Sequence, residues 1–160
     1  MELHVERSDL MSAGYSPGFS NVLTRWQVHV ARNRWLRQEV AVYDPESLYH
    51  QKTLRFRTKL SRHQLATLFE IVEECRFREL GRYYQHETMA VTDCPSYFLA
   101  VRFEDCVKTV EAYDLYGLVE LEQQPAAIRF LRLWEAITAH SPFEKVPIEQ
   151  GLPRPWWCFW

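Results

Sequence analysis

Val22-Leu23-Thr24-Arg25-Trp26-Gln27-Val28-His29-Val30-Ala31 is the segment from which the rest of the chain can be ordered. Val22, Thr24, Trp26, Val28 and Val30 alternate with Leu23, Arg25, Gln27, His29 and Ala31, the period-two pattern of a strand with one strongly apolar face. Arg32-Asn33 supplies a turn, and Leu36, Val40 and Val42 then share a face. Residues 22–42 therefore read as a long hairpin that ends at Asp44-Pro45, where proline favours extended backbone before it.

Working outward, a short strand is expected at Leu3–Glu6, and the Gly/Pro/Ser-containing stretch Ser12–Ser20 reads as a loop. A third strand is expected over Leu54–Leu60, after a polar connection. Ser61 to Gln64 fits the capping box S-x-x-Q, which satisfies two free amides at a helix start. Leu65, Leu68, Phe69, Val72 and Cys75 then form one helical stripe, with Gly81 just past the expected helix end. Thr92-Asp93-Cys94-Pro95 punctuates before a second hairpin, in which Tyr97, Leu99, Val101 and Phe103 alternate and Glu104-Asp105 turns the chain. The return strand Cys106–Tyr113 places Val107 and Val110 on opposite faces, as in a central strand or one covered on both sides. After a loop around Gly117, Pro125 opens a helix on which Ile128, Leu131, Trp134 and Ile137 can cover a sheet.

Strands in hairpins with helices placed after them predict an α+β fold: a mostly antiparallel sheet of about five or six strands, with two helices on one face. Residues 1–140 are expected to form one domain and residues 141–160 a Pro/Trp-rich tail.

Composition narrows the function classes. Among 160 residues, 47% are hydrophobic and 25% charged, as in folded proteins rather than disordered ones. The net charge of −2, from 19 basic and 21 acidic residues in interleaved order, gives nucleic-acid binding no support. Lys52, Arg55, Arg57, Lys59 and Arg62 form a local basic run. Their alternation with Leu54, Phe56 and Leu60 reads as the solvated face of a strand rather than a phosphate-binding stripe. No run approaches the ~20 apolar residues of a membrane span and no signal-peptide core follows Met1, so the expected location is cytoplasmic. Cys75, Cys94, Cys106 and Cys158 include no C-x-x-C pair and are expected to be reduced thiols.

The order of elements, with Leu60-Ser61, Leu65 and Leu68, then Phe77 and Leu80, then Thr92-Asp93-Cys94-Pro95 and Lys108-Thr109-Val110, resembles a bacterial family of small α+β domains of uncharacterised role. Through Gly14 to Phe19 the chain also resembles emfourin-type proteinaceous inhibitors of bacterial metalloproteases. The resemblance implies a protein-binding module and carries no inhibitory residue across.

His86-Glu87 with Asp93 and Cys94 could in principle assemble an activated nucleophile, but no nucleophile elbow or family signature accompanies them, and structural use is the preferred reading. Asp93 is most simply a turn residue, with a surface acid that meets a partner's base as its functional rival. The six histidines lack any H-E-x-x-H-like spacing, and no phosphate-cradling glycine motif is present, so neither a metal nor a cofactor is expected. The tail ends Trp156-Trp157-Cys158-Phe159-Trp160, aromatic surface that something should cover: its own core, or a partner protein or second copy. The expected function is therefore a non-enzymatic protein-interaction module, an inhibitor or immunity-type protein acting by occlusion. Its alternatives are a hydrolase-like or transferase-like enzyme using His86, Asp93 and Cys94, and a structural subunit of a larger assembly. The residues assigned to the protein partner are Asp93, Trp156, Trp157, Phe159 and Trp160, with homo-oligomers allowed and no membrane or nucleic acid expected.

Overall fold

Alternating apolar side chains on consecutive hairpins build a sheet, and in the computed structural model that sheet has seven strands among the described residues. The structure describes residues 5–18, 23–44, 47–87 and 93–142, with the backbone only of 44 and 47–50. The strands are β1 (Asp9–Ser16), β2 (Leu23–Ala31), β3 (Trp35–Asp44), β4 (Ser47–Lys59), β5 (Tyr83–Tyr84), β6 (Ser96–Arg102) and β7 (Val107–Tyr113). Their order is β4-β3-β2-β1-β6-β7-β5. The helices are α1 (Arg62–Glu74), α2 (Leu115–Glu120) and α3 (Pro125–Thr138), with one 3-10 turn at Phe77–Glu79. The α+β class holds. The expected mostly antiparallel sheet of about five or six strands with two helices on one face is corrected to a mixed sheet of seven strands with three helices among the described residues, in which the two-residue β5 runs parallel to β7.

The register shows how the core is laid. One row runs Leu54, Val40, Trp26, Tyr15, Tyr97 and Ala112 across six strands, and the next runs Phe56, Gln38, Val28, Ala13, Leu99 and Val110. Directly opposed residues share a face, so these rows present one surface. It packs with Leu68 and Val72 of α1, Leu115 and Leu118 of α2, and Ala127, Phe130, Leu133, Trp134 and Ile137 of α3 in a single core. Trp134 Nε1 donates to the Gly14 carbonyl of β1 at 3.4 Å, and its ring meets Tyr97 at 5.2 Å and Trp26 at 5.9 Å.

Several expectations are displaced. β1 occupies much of the expected Ser12–Ser20 loop and sits between β2 and β6 at the centre of the sheet. Its period-two set Met11, Ala13 and Tyr15 is interleaved with Ser12 and Gly14, residues small enough for a strand covered on both faces but of a kind also common in loops. Val5 and Glu6 are not in a strand, and Leu3 lies outside the described residues. β4 starts at Ser47, well before Leu54, because a strand at the sheet edge tolerates the polar run Gln51-Lys52-Thr53. The expected loop at Gly117 is helix α2, entered through Asp114 in the left-handed region at φ 51°. Gly81 does not end α1; Arg76 takes the left-handed conformation there, at φ 47°. In β7, Val110 is buried and Val107 is 38% exposed, so that strand is interior to the sheet, between β6 and β5, but not covered on both faces.

Other local readings match. Ser61 caps α1 with both capping-box bonds present, Ser61 Oγ accepting from Gln64 N–H at 3.0 Å and Gln64 Oε1 accepting from Ser61 N–H at 2.8 Å. Arg32 and Asn33 turn the β2–β3 hairpin, with Arg34 at φ 70° closing it. Pro125 opens α3. Among the described residues no helix is long and apolar enough to cross a membrane.

Candidate functional site

Two clusters concentrate the titratable side chains. The first forms where the segment after β5 meets the junction of β7 and α2. His86 is buried, with Nε2 at 2.9 Å from Asp114 Oδ2 and Nδ1 at 2.7 Å from Glu122 Oε1. Each carboxylate therefore accepts from one ring nitrogen, and two N–H donors require an imidazolium. The bond to Asp114 first, and that to Glu122 after it, push His86 above its usual range despite burial. His86 in turn holds Glu122 below the usual carboxylate range. A Cβ on Gly117 would fall 2.2 Å from Asp114 Oδ2 and 3.0 Å from His86 Nε2, so glycine at the start of α2 leaves the space this clamp occupies.

Cys94 borders the same cluster. Its N–H donates to the Tyr113 hydroxyl at 3.0 Å, while burial first and the Asp114 carboxylate second push its thiol upward. That is the reverse of an activated cysteine, whose thiolate needs a positive neighbour or a helix N-terminus. Of the set His86, Glu87, Asp93 and Cys94, the structure thus brings His86 and Cys94 to the same carboxylate, Asp114. Glu87 and Asp93 are exposed. Asp93 is in the left-handed region at φ 60°, and its carbonyl approaches Gly18 so closely that a Cβ there would lie 1.9 Å away. Asp114 and Glu122 were not anticipated: they lie 28 and 36 residues from His86, and no spacing motif joins them.

The second cluster lies on the sheet face opposite the helices and was also not anticipated. Ser12 Oγ is 2.9 Å from His29 Nδ1, and Asp9 Oδ2 is 3.5 Å from that same nitrogen. Arg37 bridges Asp9 Oδ1 at 2.8 Å and Glu6 at 2.9 Å, and Arg102 donates to the carbonyls of Asp9 and Glu6. Serine, histidine and aspartate in contact suggest a triad, but a triad places serine and aspartate on different ring nitrogens, so that one nitrogen takes the serine proton while the other keeps its N–H bonded to the carboxylate. Here both address Nδ1, and Ser12 and Asp9 are each 0% exposed. Burial, outweighing the pull of Asp9, pushes His29 down, so it is neutral at pH 7. The arrangement can pin β1 to β2 and β3; it cannot present a nucleophile.

Beyond these clusters, a shallow pocket of about 310 Å3 adjoins the 3-10 turn. Arg78 on its wall already lies over the Phe103 ring at 5.3 Å and pairs with Asp105. Among the described residues no group of three or more His, Cys, Asp or Glu side chains could hold a metal ion. Cys75, Cys94 and Cys106 are free thiols, Cys75 buried on the α1 stripe as expected and Cys106 exposed. Trp156, Trp157, Cys158, Phe159 and Trp160 lie outside the described residues. No protein-family model matches the chain, and no curated protein matches it at a significant level.

Proposed function

We propose that this chain is a non-enzymatic protein-interaction module that acts by occluding a protein target, in the manner of a cytoplasmic inhibitor or immunity-type protein. The observation that carries the reading is the saturation of His86: both ring nitrogens are bonded to carboxylates of the same chain, so the histidine has no lone pair to act as base and no free N–H to act as acid. The neighbouring Cys94 has a thiol pushed up rather than down, which removes the other half of a nucleophilic pair. Asp93, exposed on its turn, suits contact with a basic group of the target, and the tail residues Trp156, Trp157, Phe159 and Trp160 supply aromatic anchors of the kind that dominate interfaces.

Exchanging Cys94 for Ser should leave the biological effect of the protein in its host nearly unchanged in magnitude. The same variant should preserve capture of the target by the tagged chain, whereas Asp93→Asn should weaken that capture. Retained capture with a lost effect would establish catalysis by this cluster and displace the binding reading.

A further inference from the structure

We infer that the outer edge of β4 is the docking line for an extended, acidic segment of a partner protein, which adds to the sheet as an eighth strand. The inference rests on the binding reading above and names where and how the partner is held. β4 ends the strand order, so one side of its backbone carries N–H and C=O groups with no strand partner among the described residues. It is 13 residues long, against a usual strand of about five or six. Natural sheets blunt such edges by shortening them, inserting proline, bulging them away or placing cations there. β4 relies on the cations over most of its length: Ser47 to Lys59 contains no proline and no acid, and its pairing to β3 is regular from Trp35 to Tyr43, with a register shift only between Tyr43 and Asp44.

Charge selects the occupant. Lys52, Arg55, Arg57 and Lys59 are exposed, and Arg55, Arg57 and Lys59 share one face at intervals of about 6.6 to 6.8 Å. Their acidic neighbours are few. Glu39 pairs with Arg55 at 3.0 Å, while Arg37, directly opposite Arg57, is bound by Glu6 and Asp9 and adds a like charge. Arg57 and Lys52 form no ion pair among the described residues. A second copy of β4 would set cation against cation, which is unfavourable for directly opposed residues. A strand with Asp or Glu at alternate positions would place each acid beside this row. Its intervening apolar residues would lie on the side of Leu54 and Phe56, continuing the core-facing row. A nucleic-acid strand fits less well. It has no use for the backbone edge, the net charge is −2, and Trp35, the aromatic beside the cations, already lies under Lys59 at 5.7 Å.

Fluorescence anisotropy on the full chain tests this with a short labelled peptide alternating Glu and Val, a block-ordered peptide of the same composition, a copy N-methylated on alternate amides, and an oligothymidylate. The alternating peptide should bind, shift the β4 amides in a 15N–1H spectrum, and weaken roughly tenfold with R57E or K59E, two exposed changes in the cationic row that leave the core alone. The block-ordered and N-methylated peptides should bind at least as weakly as that. Equal binding of the N-methylated peptide, shifts away from β4, binding of the oligothymidylate in place of the peptide, or no binding of the alternating peptide would each overturn the inference. Any of these with target capture intact would leave the binding function standing and only its location wrong.

Discussion

Replacing Trp134 with alanine is expected to lower the unfolding free energy by about 3 to 5 kcal/mol, the usual cost of emptying a large aromatic site in a core. Trp134 is 4% exposed and joins three elements at once, meeting Trp26 of β2 and Tyr97 of β6 and donating to β1 at Gly14. Tyr97 in turn contacts Tyr15 at 5.1 Å and Tyr116 at 5.8 Å, so the cavity would open in the middle of an aromatic cluster whose rings cannot easily close over it. Against a total of about 5 to 15 kcal/mol, the loss would consume much of the stability. At about 2 to 4 °C per kcal/mol for a chain of this size, thermal melting should fall by roughly 6 to 20 °C. Two companions separate packing from generic damage. Trp134→Phe keeps most of the apolar body and should lose clearly less. Arg132→Ala, two residues earlier in α3, removes only an exposed pair with Glu74 and should stay within about 0.5 kcal/mol. An alanine variant at position 134 that melts with the wild type would show that α3 is not fastened through this ring.

The second large effect is a pH dependence. His86→Gln should cost most near pH 6 and progressively less toward alkaline pH. His86 carries a raised value in the folded chain because Asp114 and Glu122 bond its two N–H groups. Below about pH 6.5, the ordinary histidine value, both folded and unfolded chains are protonated there and the clamp contributes in full. As pH rises toward the folded value, only the folded state holds the proton, so stability falls, and above that value the contribution is gone. Glu122 limits the acid side: its lowered value means that its share is present above about pH 4.5 and fades as pH drops through the folded value. His29 runs the other way. Its lowered value makes the folded chain lose stability as pH falls below about 6.5, which partly hides the His86 effect in the wild-type profile. The difference between wild type and His86→Gln removes the His29 contribution because the clusters share no described bond. Urea titrations of both proteins across this range check it; a difference that grows with pH would reverse the assigned charge on His86.

What the sequence disclosed follows the range of the interactions. Ser61 and Gln64 form their capping box within one helical turn, so adjacent residue types suffice to read it. The β2–β3 hairpin was legible for the same reason, since Val28 and Val30 face partners only a few residues beyond Arg32 and Asn33. β1 was not. Its neighbours include β6, and Met11 lies opposite Val101, so the burial that makes Ser12 and Gly14 suitable for a strand comes from residues far along the chain. The candidate site divides in the same way. Asp93 can be read as a turn acid from the proline two residues on, and His86 and Cys94 stand in one reactive-looking group in the sequence. The residues that decide their chemistry, Asp114 and Glu122, arrive from the β7–α2 junction and the α2–α3 connection, where neighbouring sequence gives no sign of a histidine. The long basic strand was visible as a solvated stripe, and its place at the sheet edge required the strand order.

The claim at the centre of this account is that the groups most like an active site are structural, leaving the surface to act. Cys94 reports on it most directly, because a nucleophilic site and a clamp predict opposite thiol behaviour. Alkylation of the native protein by iodoacetamide, followed residue by residue by mass spectrometry from pH 6 to pH 10, compares Cys94 with the exposed Cys106 in the same sample. The account predicts that Cys94 reacts more slowly than Cys106 at pH 7 and that its rate is still climbing at the alkaline end, since burial and the Asp114 carboxylate oppose its thiolate. A Cys94 that reacts faster than Cys106 at pH 7, with a rate already level below that pH, would be an activated nucleophile and would contradict it.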